Sequence, residues 1–497
     1  MTCSENIAFA FRTVAVDIPD HDAIIAEDMS ITFHKLWLII ERFAQNMQAK
    51  GIGRRSVVGI DTTDMIVSVA SIFALSLLGA SYFILDSAQS ATARQDLTHC
   101  LRSPERKGFD GVTYSVMDQG WSPKFEATAP DVITEPGFLD SKDTCWIMGS
   151  SGTTGRPKFV SIDANTVWKR VCVVKSDYPE GATRHFLVFG CNSRPFAIRA
   201  VATLLSKNTI IDSHDIGFLQ RHGVNFASGS PKQLSAWLDG RKVSPKIDKL
   251  QVSGSRLGDG TVKQLLQSFT VVEDVYGSNE TIVAHVNSHL QSGKVQGRHV
   301  ASKVEIRDKI GKLCVAGENG IVRIQNDHMA KGYDDEPEET AKRFCEGWFY
   351  PGDIGTWGPN GTIEILGRSD DIVNFGGRKI NLSDVDTALT ASPFILSASS
   401  FQDPIAKGDW KLAACIRPSK GSSFAEAAKH AWAGCADAFG AEMSPQTLLI
   451  LDEIPITHDG VPRRRECQEI FQSKLSRNDP IEINQRLFNF RPRSNDL

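Results

Sequence analysis

Ten consecutive residues, Gly149-Ser150-Ser151-Gly152-Thr153-Thr154-Gly155-Arg156-Pro157-Lys158, combine three glycines, four hydroxyl side chains and two cations. Glycine lets successive backbone N–H groups turn toward one point, hydroxyls donate hydrogen bonds, and Arg156 and Lys158 offset negative charge. That mixture suits a polyphosphate. It is not a Walker A loop, in which lysine directly follows glycine, because Lys158 follows Pro157. A plain surface turn is the alternative reading. Against it, the loop leaves the hydrophobic run Cys145-Trp146-Ile147-Met148, which predicts a strand aimed straight into it.

The elements that must position this loop show in the hydrophobic pattern. Apolar residues recur at helical spacing over 32–48 (Phe33, Leu36, Leu38, Ile39, Phe43, Met47), and the strand-like Ser56-Val57-Val58-Gly59-Ile60 follows. Residues 65–78 predict a second helix, buried and closed by Gly79, with a strand over 80–85 after it. Residues 164–175 are expected to be partly helical, with short strands at Phe186-Leu187-Val188-Phe189, Thr209-Ile210-Ile211 and 269–275. Such alternation implies a layered α/β core. From Val304 the pattern changes to strands separated by turns: Val304-Glu305-Ile306, Gly311-Lys312-Leu313-Cys314-Val315, Gly320-Ile321-Val322-Arg323-Ile324 and 361–366. Helices near 382–391 and 424–440 predict a compact α+β unit beyond that. The expected organisation is a large N-terminal domain, 1–369, of layered α/β subdomains with a β-rich subdomain at 303–366, followed by a small α+β domain at 370–497.

Composition excludes several function classes. A formal charge of -4 gives no basic surplus of the kind nucleic-acid binding uses, so nucleic acid is not an expected partner. No run approaches the roughly 20 apolar residues that span a bilayer, and the N-terminus lacks a signal-like apolar stretch. The ten cysteines form no CxxC pair, which argues against structural zinc and a disulfide scaffold. A cytoplasmic setting is the expectation.

The loop also resembles the phosphate-binding signature of the adenylate-forming superfamily, which comprises acyl- and aryl-CoA synthetases, luciferases and nonribosomal peptide adenylation domains. Further segments follow in that family's order: Ser253-Gly254-Ser255-Arg256-Leu257, Tyr276-Gly277-Ser278-Asn279-Glu280, Gly332-Tyr333 with Pro337-Glu338 and Thr340, and Gly347-Trp348-Phe349-Tyr350-Pro351-Gly352-Asp353. Gly367-Arg368-Ser369-Asp370-Asp371 with Gly377-Arg378-Lys379-Ile380 is similar to its interdomain hinge. The resemblance implies that Ser150, Ser151, Gly152, Thr153, Thr154, Gly155 and Lys158 wrap ATP phosphates, with Thr153, Lys158, Glu280 and Lys379 acting in catalysis. It implies that Glu280 binds Mg²⁺, that Tyr276, Gly277 and Ser278 meet the adenine end, and that Ser253, Gly254 and Ser255 line the acyl and adenine pocket. Asp353 would hold ribose, Arg368 would reach ribose or phosphate, Lys379 would contact phosphate, and Asp370 would be the hinge of a mobile C-terminal domain.

The implied activity is ATP-dependent activation of a small carboxylic acid as acyl-AMP, then acyl transfer to CoA, a carrier-protein phosphopantetheine thiol or an amine. One position departs from it. Ile454-Pro455-Ile456-Thr457-His458-Asp459-Gly460-Val461 follows the family's C-terminal element, whose lysine is replaced by Val461. Losing one such electrostatic donor costs about 3–4 kcal/mol of transition-state stabilisation. Arg463 or Arg464 could substitute, the chain could serve the second half-reaction, or it could be an adenylate binder with little turnover. A substitution introduced to trap a bound state would look the same. Arg194, in a segment that departs from the family's usual histidine-containing one, is a candidate for an acidic substrate group or for an exposed ion pair.

Overall fold

The computed structural model describes residues 6–85, 94, 96–118, 121, 142–150, 158–191, 193–375, 378–404, 411–456, 462–476 and 487–489. The expected helices form where polar caps start them and glycine stops them. Thr32 accepts a hydrogen bond from Lys35 N–H at the start of Phe33–Ala49. Asp64 does the same for Met65–Leu78, which ends at Gly79 in the left-handed region. Every side chain of Met65–Leu78 is buried, so this apolar helix needs no polar face. Among the described residues no helix is long and apolar enough to cross a membrane.

Two sheets sandwich these helices. A six-stranded sheet runs in the order 115–116, 99–102, 57–61, 81–84, 144–150, 158–163, and a nine-stranded sheet in the order 295–299, 282–290, 269–278, 247–252, 226–229, 184–187, 209–212, 22–26, 30–32. One large apolar core, containing Phe11, Phe33, Phe73, Trp146, Val171 and Phe196, fills the space between. Strands 184–187, 226–229, 247–252 and the start of 269–278 are mutually parallel. Their C-terminal ends therefore open on one edge, the place where open α/β sheets bind ligands.

The β-rich part is an antiparallel sheet in the order 344–345, 348–349, 319–325, 353–357, 363–368, with 303–307 also paired to 319–325. The expected strand at 311–315 is not formed. Asp308 instead takes the Lys312 N–H on its side chain and closes a turn, leaving Leu313 and Val315 exposed with a single bridge from Arg307 to Leu313. Beyond it a hairpin, 372–375 with 378–381, leads to a four-stranded sheet of 395–402, 412–418, 447–450 and 487–489. Helices Leu382–Thr390 and Phe424–Phe439 pack on that sheet around Val385, Leu389, Ala431 and Ile450, a core separate from the others. The whole is a large α/β unit with a β-rich extension and a smaller α+β part.

Phe73 is fully buried between the two large sheets with its ring 4.8 Å from that of Phe11. Phe73→Ala is expected to cost about 3–5 kcal/mol, measured by denaturant unfolding.

Candidate functional site

Strand Thr144–Ser150 and strand Lys158–Asp163 are antiparallel neighbours, with Ser150 paired directly to Lys158. The proposed phosphate loop therefore begins and ends at one rung of a ladder. Ser151, Gly152, Thr153, Thr154 and Gly155, like Val461, lie outside the described residues. Lys158 is buried, its Nζ 2.9 Å from Glu339 Oε1 and over the face of Tyr333 at 5.5 Å. The Tyr333 hydroxyl donates to Glu280 Oε1 at 2.9 Å. Lys158 and Glu280, far apart in sequence, thus meet across one aromatic ring.

The turn that carries Glu280 is built by close packing. Gly277 lies where a Cβ would fall 1.7 Å from the Ile282 carbonyl oxygen, so any side chain there would force the strands apart. Ser278 and Thr281 hydroxyls hydrogen-bond across the turn at 3.2 Å, and Asn279 Nδ2 reaches the Gly149 carbonyl at 3.2 Å. Arg170, on helix Ala164–Lys175, is fully buried beneath it. Its guanidinium donates to the carbonyls of Asn279 (3.0 Å), Glu280 (2.8 Å) and His328 (2.8 Å). Burial pulls its pKa down to about 9, and the Glu280 charge partly offsets this. Arg170 spends its donors on backbone, so the Glu280 carboxylate remains available: Oε2 has no hydrogen-bond partner among the described residues.

Tyr276, Asp353 and Arg368 form a second group. Tyr276 Oη donates to Asp353 Oδ2 at 2.7 Å, and Arg368 Nη1 is 3.3 Å from Asp353 Oδ1. Burial, with the Asp353 charge added, raises the Tyr276 pKa well above its usual value, which keeps the phenol a donor. Arg368 Nε is buried and without a partner among the described residues. Asp274 shares a strand face with Tyr276. Burial lifts its carboxyl to about 7, partly offset by Arg256.

Ion pairs join the two groups. Glu339 Oε1 also binds Arg343 Nε at 2.9 Å, Arg343 Nη2 is 3.2 Å from Asp370 Oδ2, and Arg368 Nη2 is 4.0 Å from the same oxygen. The expected hinge residue is thus tied to both ends of the site. Burial would raise the Glu339 carboxyl, but Arg343 and Lys158 hold it at about 2. Ser253 is half-buried at the end of strand 247–252, and Gly254 and Ser255 are exposed beside it.

Lys379 is exposed, and Lys309 beside it lowers its pKa through like charge. Arg464 cannot stand in for a lysine at position 461 in this arrangement. It is 3.3 Å from Asp371 and 3.0 Å from Asp386, and those charges raise its pKa against its burial. Arg463 pairs with Glu466 at 3.5 Å. Sequence reasoning gave no role to Arg170, Tyr333, Glu339 or Arg343. Tyr333 figured only as part of the family-like segment with Gly332, and Glu339 and Arg343 carried a local signal, an acid and a base at i,i+4 on a helix.

The AMP-binding enzyme family matches residues 11–334. The chain belongs to that family. Surfactin synthase subunit 1 of Bacillus subtilis (strain 168) is 26% identical over 92% of this chain, which spans 14% of that relative. Probable CoA ligase CCL9 of Humulus lupulus is 24% identical over 94% of this chain and 96% of its own. Among solved structures, o-succinylbenzoate CoA synthetase (MenE) from Bacillus subtilis in complex with the acyl-adenylate intermediate OSB-AMP has a TM-score of 0.78 at 18% identity, covering 92% of this chain and 97% of that one. The same enzyme has also been solved in complex with ATP and magnesium ion, with a TM-score of 0.76. The AMP-binding fold, that of the adenylate-forming superfamily, thus extends over nearly the whole chain.

Two expectations follow from the geometry. Glu339 titrates far below its ordinary 4.5, so its stabilising contribution is complete above that value and fades as pH falls toward 2. Glu339→Gln should remove this component, on the order of 2 kcal/mol after screening, and flatten the acid limb of a plot of Tm against pH. Arg170→Met leaves three carbonyls unpaired and should cost about 2–4 kcal/mol, with faster amide exchange at 279–281 as its local signature.

Proposed function

We propose that this chain activates a carboxylic acid as its acyl adenylate, using ATP, and passes the acyl group to a nucleophile. The observation that carries the reading is the meeting of Lys158 and Glu280 across Tyr333, linked by ion pairs to Asp353 beside Tyr276. Lys158 would exchange Glu339 for phosphate oxygens. Asp353 has two acceptor oxygens, and ribose hydroxyls can replace the phenol and guanidinium that now occupy them. The open Oε2 of Glu280 suits a hard cation, which commonly takes one carboxylate and completes its shell with water and substrate phosphate. Magnesium, when bound, would neutralise charge on the phosphate oxygens.

In the first step one oxygen of the acid carboxylate attacks the α-phosphorus. The bond from that phosphorus to the bridging oxygen breaks, and pyrophosphate leaves with the electron pair. In the second step a thiol or amine attacks the acyl carbon and AMP departs. CoA is the first acceptor to test, because two relatives matched over nearly their full length are named as a CoA ligase and a CoA synthetase. A carrier-protein thiol and an amine are the other acceptors within the reading. We place the boundary of the moving C-terminal part at 369/370, with Asp370 as pivot and Lys379 carried on the hairpin beyond it.

Val461 supports a second reading, a binder of the adenylate or an enzyme of the second half-reaction, since Arg463 and Arg464 are engaged elsewhere. Pyrophosphate release with ATP, Mg²⁺ and a panel of acids decides between them. Release with at least one acid is expected, and a gain of roughly 100-fold in Val461→Lys. ATP binding without release from any acid would overturn the ligase reading and leave the second one.

A further inference from the structure

The helix Arg194–Leu205 carries a second buried guanidinium whose situation is the reverse of Arg170's. Arg199 is 5% exposed. Among the described residues its Nη1 reaches only the Pro195 carbonyl at 3.3 Å, its Nη2 only the Ser253 hydroxyl at 3.5 Å, and its Nε has no partner. The guanidinium lies over the Phe189 ring at 5.1 Å. No carboxylate of the described residues is within ion-pair distance. Asp177, whose charge acts on Arg199 from beyond ion-pair distance, is already engaged by Arg298 at 2.8 Å and Gln251 at 3.1 Å. The buried Tyr178 hydroxyl, close enough to Arg199 for each to perturb the other's titration, is also without a partner among the described residues.

A desolvated charge with unused donors is costly to keep unless something pairs with it. The position of this one indicates what that would be. Phe189 follows strand 184–187 and Ser253 follows strand 247–252, both at the C-terminal edge of the parallel strands; on the strand beside 247–252, Tyr276 lies two residues beyond the last parallel pair, Val252 with Asp274. Arg199 therefore meets the acyl end of the site at a residue, Ser253, that no other side chain of the described residues hydrogen-bonds. A planar fork with open N–H groups matches a carboxylate in two-point contact. Arg194, the cation considered from sequence, is half-buried at the start of the same helix.

Resting on the adenylation reading, we propose that the acid activated here bears a second anionic group, a carboxylate, and that Arg199 with Ser253 and Tyr178 binds it and sets specificity. That group takes no part in bond making. It anchors the far end of the substrate while the other carboxylate faces the α-phosphorus.

The test pairs acids that differ only in a second carboxylate, such as succinate with butyrate, glutarate with pentanoate and phthalate with benzoate, in the pyrophosphate-release assay. In at least one pair the diacid is expected to have kcat/KM about 100-fold higher, and in Arg199→Met that ratio should fall to near one. Arg199→Lys, which keeps charge without the fork, should fall between. Preference for the monoacids, or a preference that Arg199→Met leaves intact, overturns the proposal while leaving adenylation standing. If no acid releases pyrophosphate, the adenylation reading fails separately. The anion site is then read by calorimetry with the matched acyl-sulfamoyl adenosines: tighter binding of the diacid member by wild type supports it, and equal binding overturns it. The wild-type comparisons decide the matter even if both variants unfold.

Discussion

A run of alternating charges holds this site together: Lys158 to Glu339, Glu339 to Arg343, Arg343 to Asp370, Asp370 to Arg368, and Arg368 to Asp353. Lys158, Glu339 and Arg343 are largely shielded from water, so each depends on its neighbours, and removing any one strands another. The run begins at the last residue of the proposed phosphate loop and ends at the proposed ribose carboxylate, with the expected hinge residue in the middle. On the proposed reading, a nucleotide competes at both ends at once. Binding would then loosen the hold on Asp370, a direct electrostatic route from ligand to hinge.

The two buried guanidiniums show how one residue type serves different ends. Arg170 is satisfied by three backbone carbonyls and so fixes the Asn279–Glu280 turn without consuming a carboxylate. Arg199 has one carbonyl, one distant hydroxyl and one orphaned nitrogen. The first reads as scaffold because its account is complete, and the second as specificity because it is not.

Most elements were legible because local rules agreed with the fold. Residues 164–175, expected to be partly helical, are helical throughout, since Asp163 caps them and strand 158–163 leads directly in. The strand expected at 311–315 failed because apolar alternation does not see that Asp308 can close a turn on Lys312. The site was legible in its motifs but not in its connections. Tyr333 stands in a family-like segment with no role of its own, and Arg343 in an i,i+4 pair, until the fold brings Glu280 and Asp370 to them.

The sequence by itself determined the family and the α/β architecture, because the family's motifs are short runs of particular residue types and hydrophobic periodicity is a local property. It also carried the puzzle of Val461. Only the tertiary structure decided that Lys158 faces Glu339, that Arg464 is committed to Asp371 and Asp386, and that Arg199 lies buried with no carboxylate of the described residues at ion-pair distance. Charge pairing and burial depend on residues tens to hundreds of positions apart, and spacing along a chain holds no record of which of them will meet.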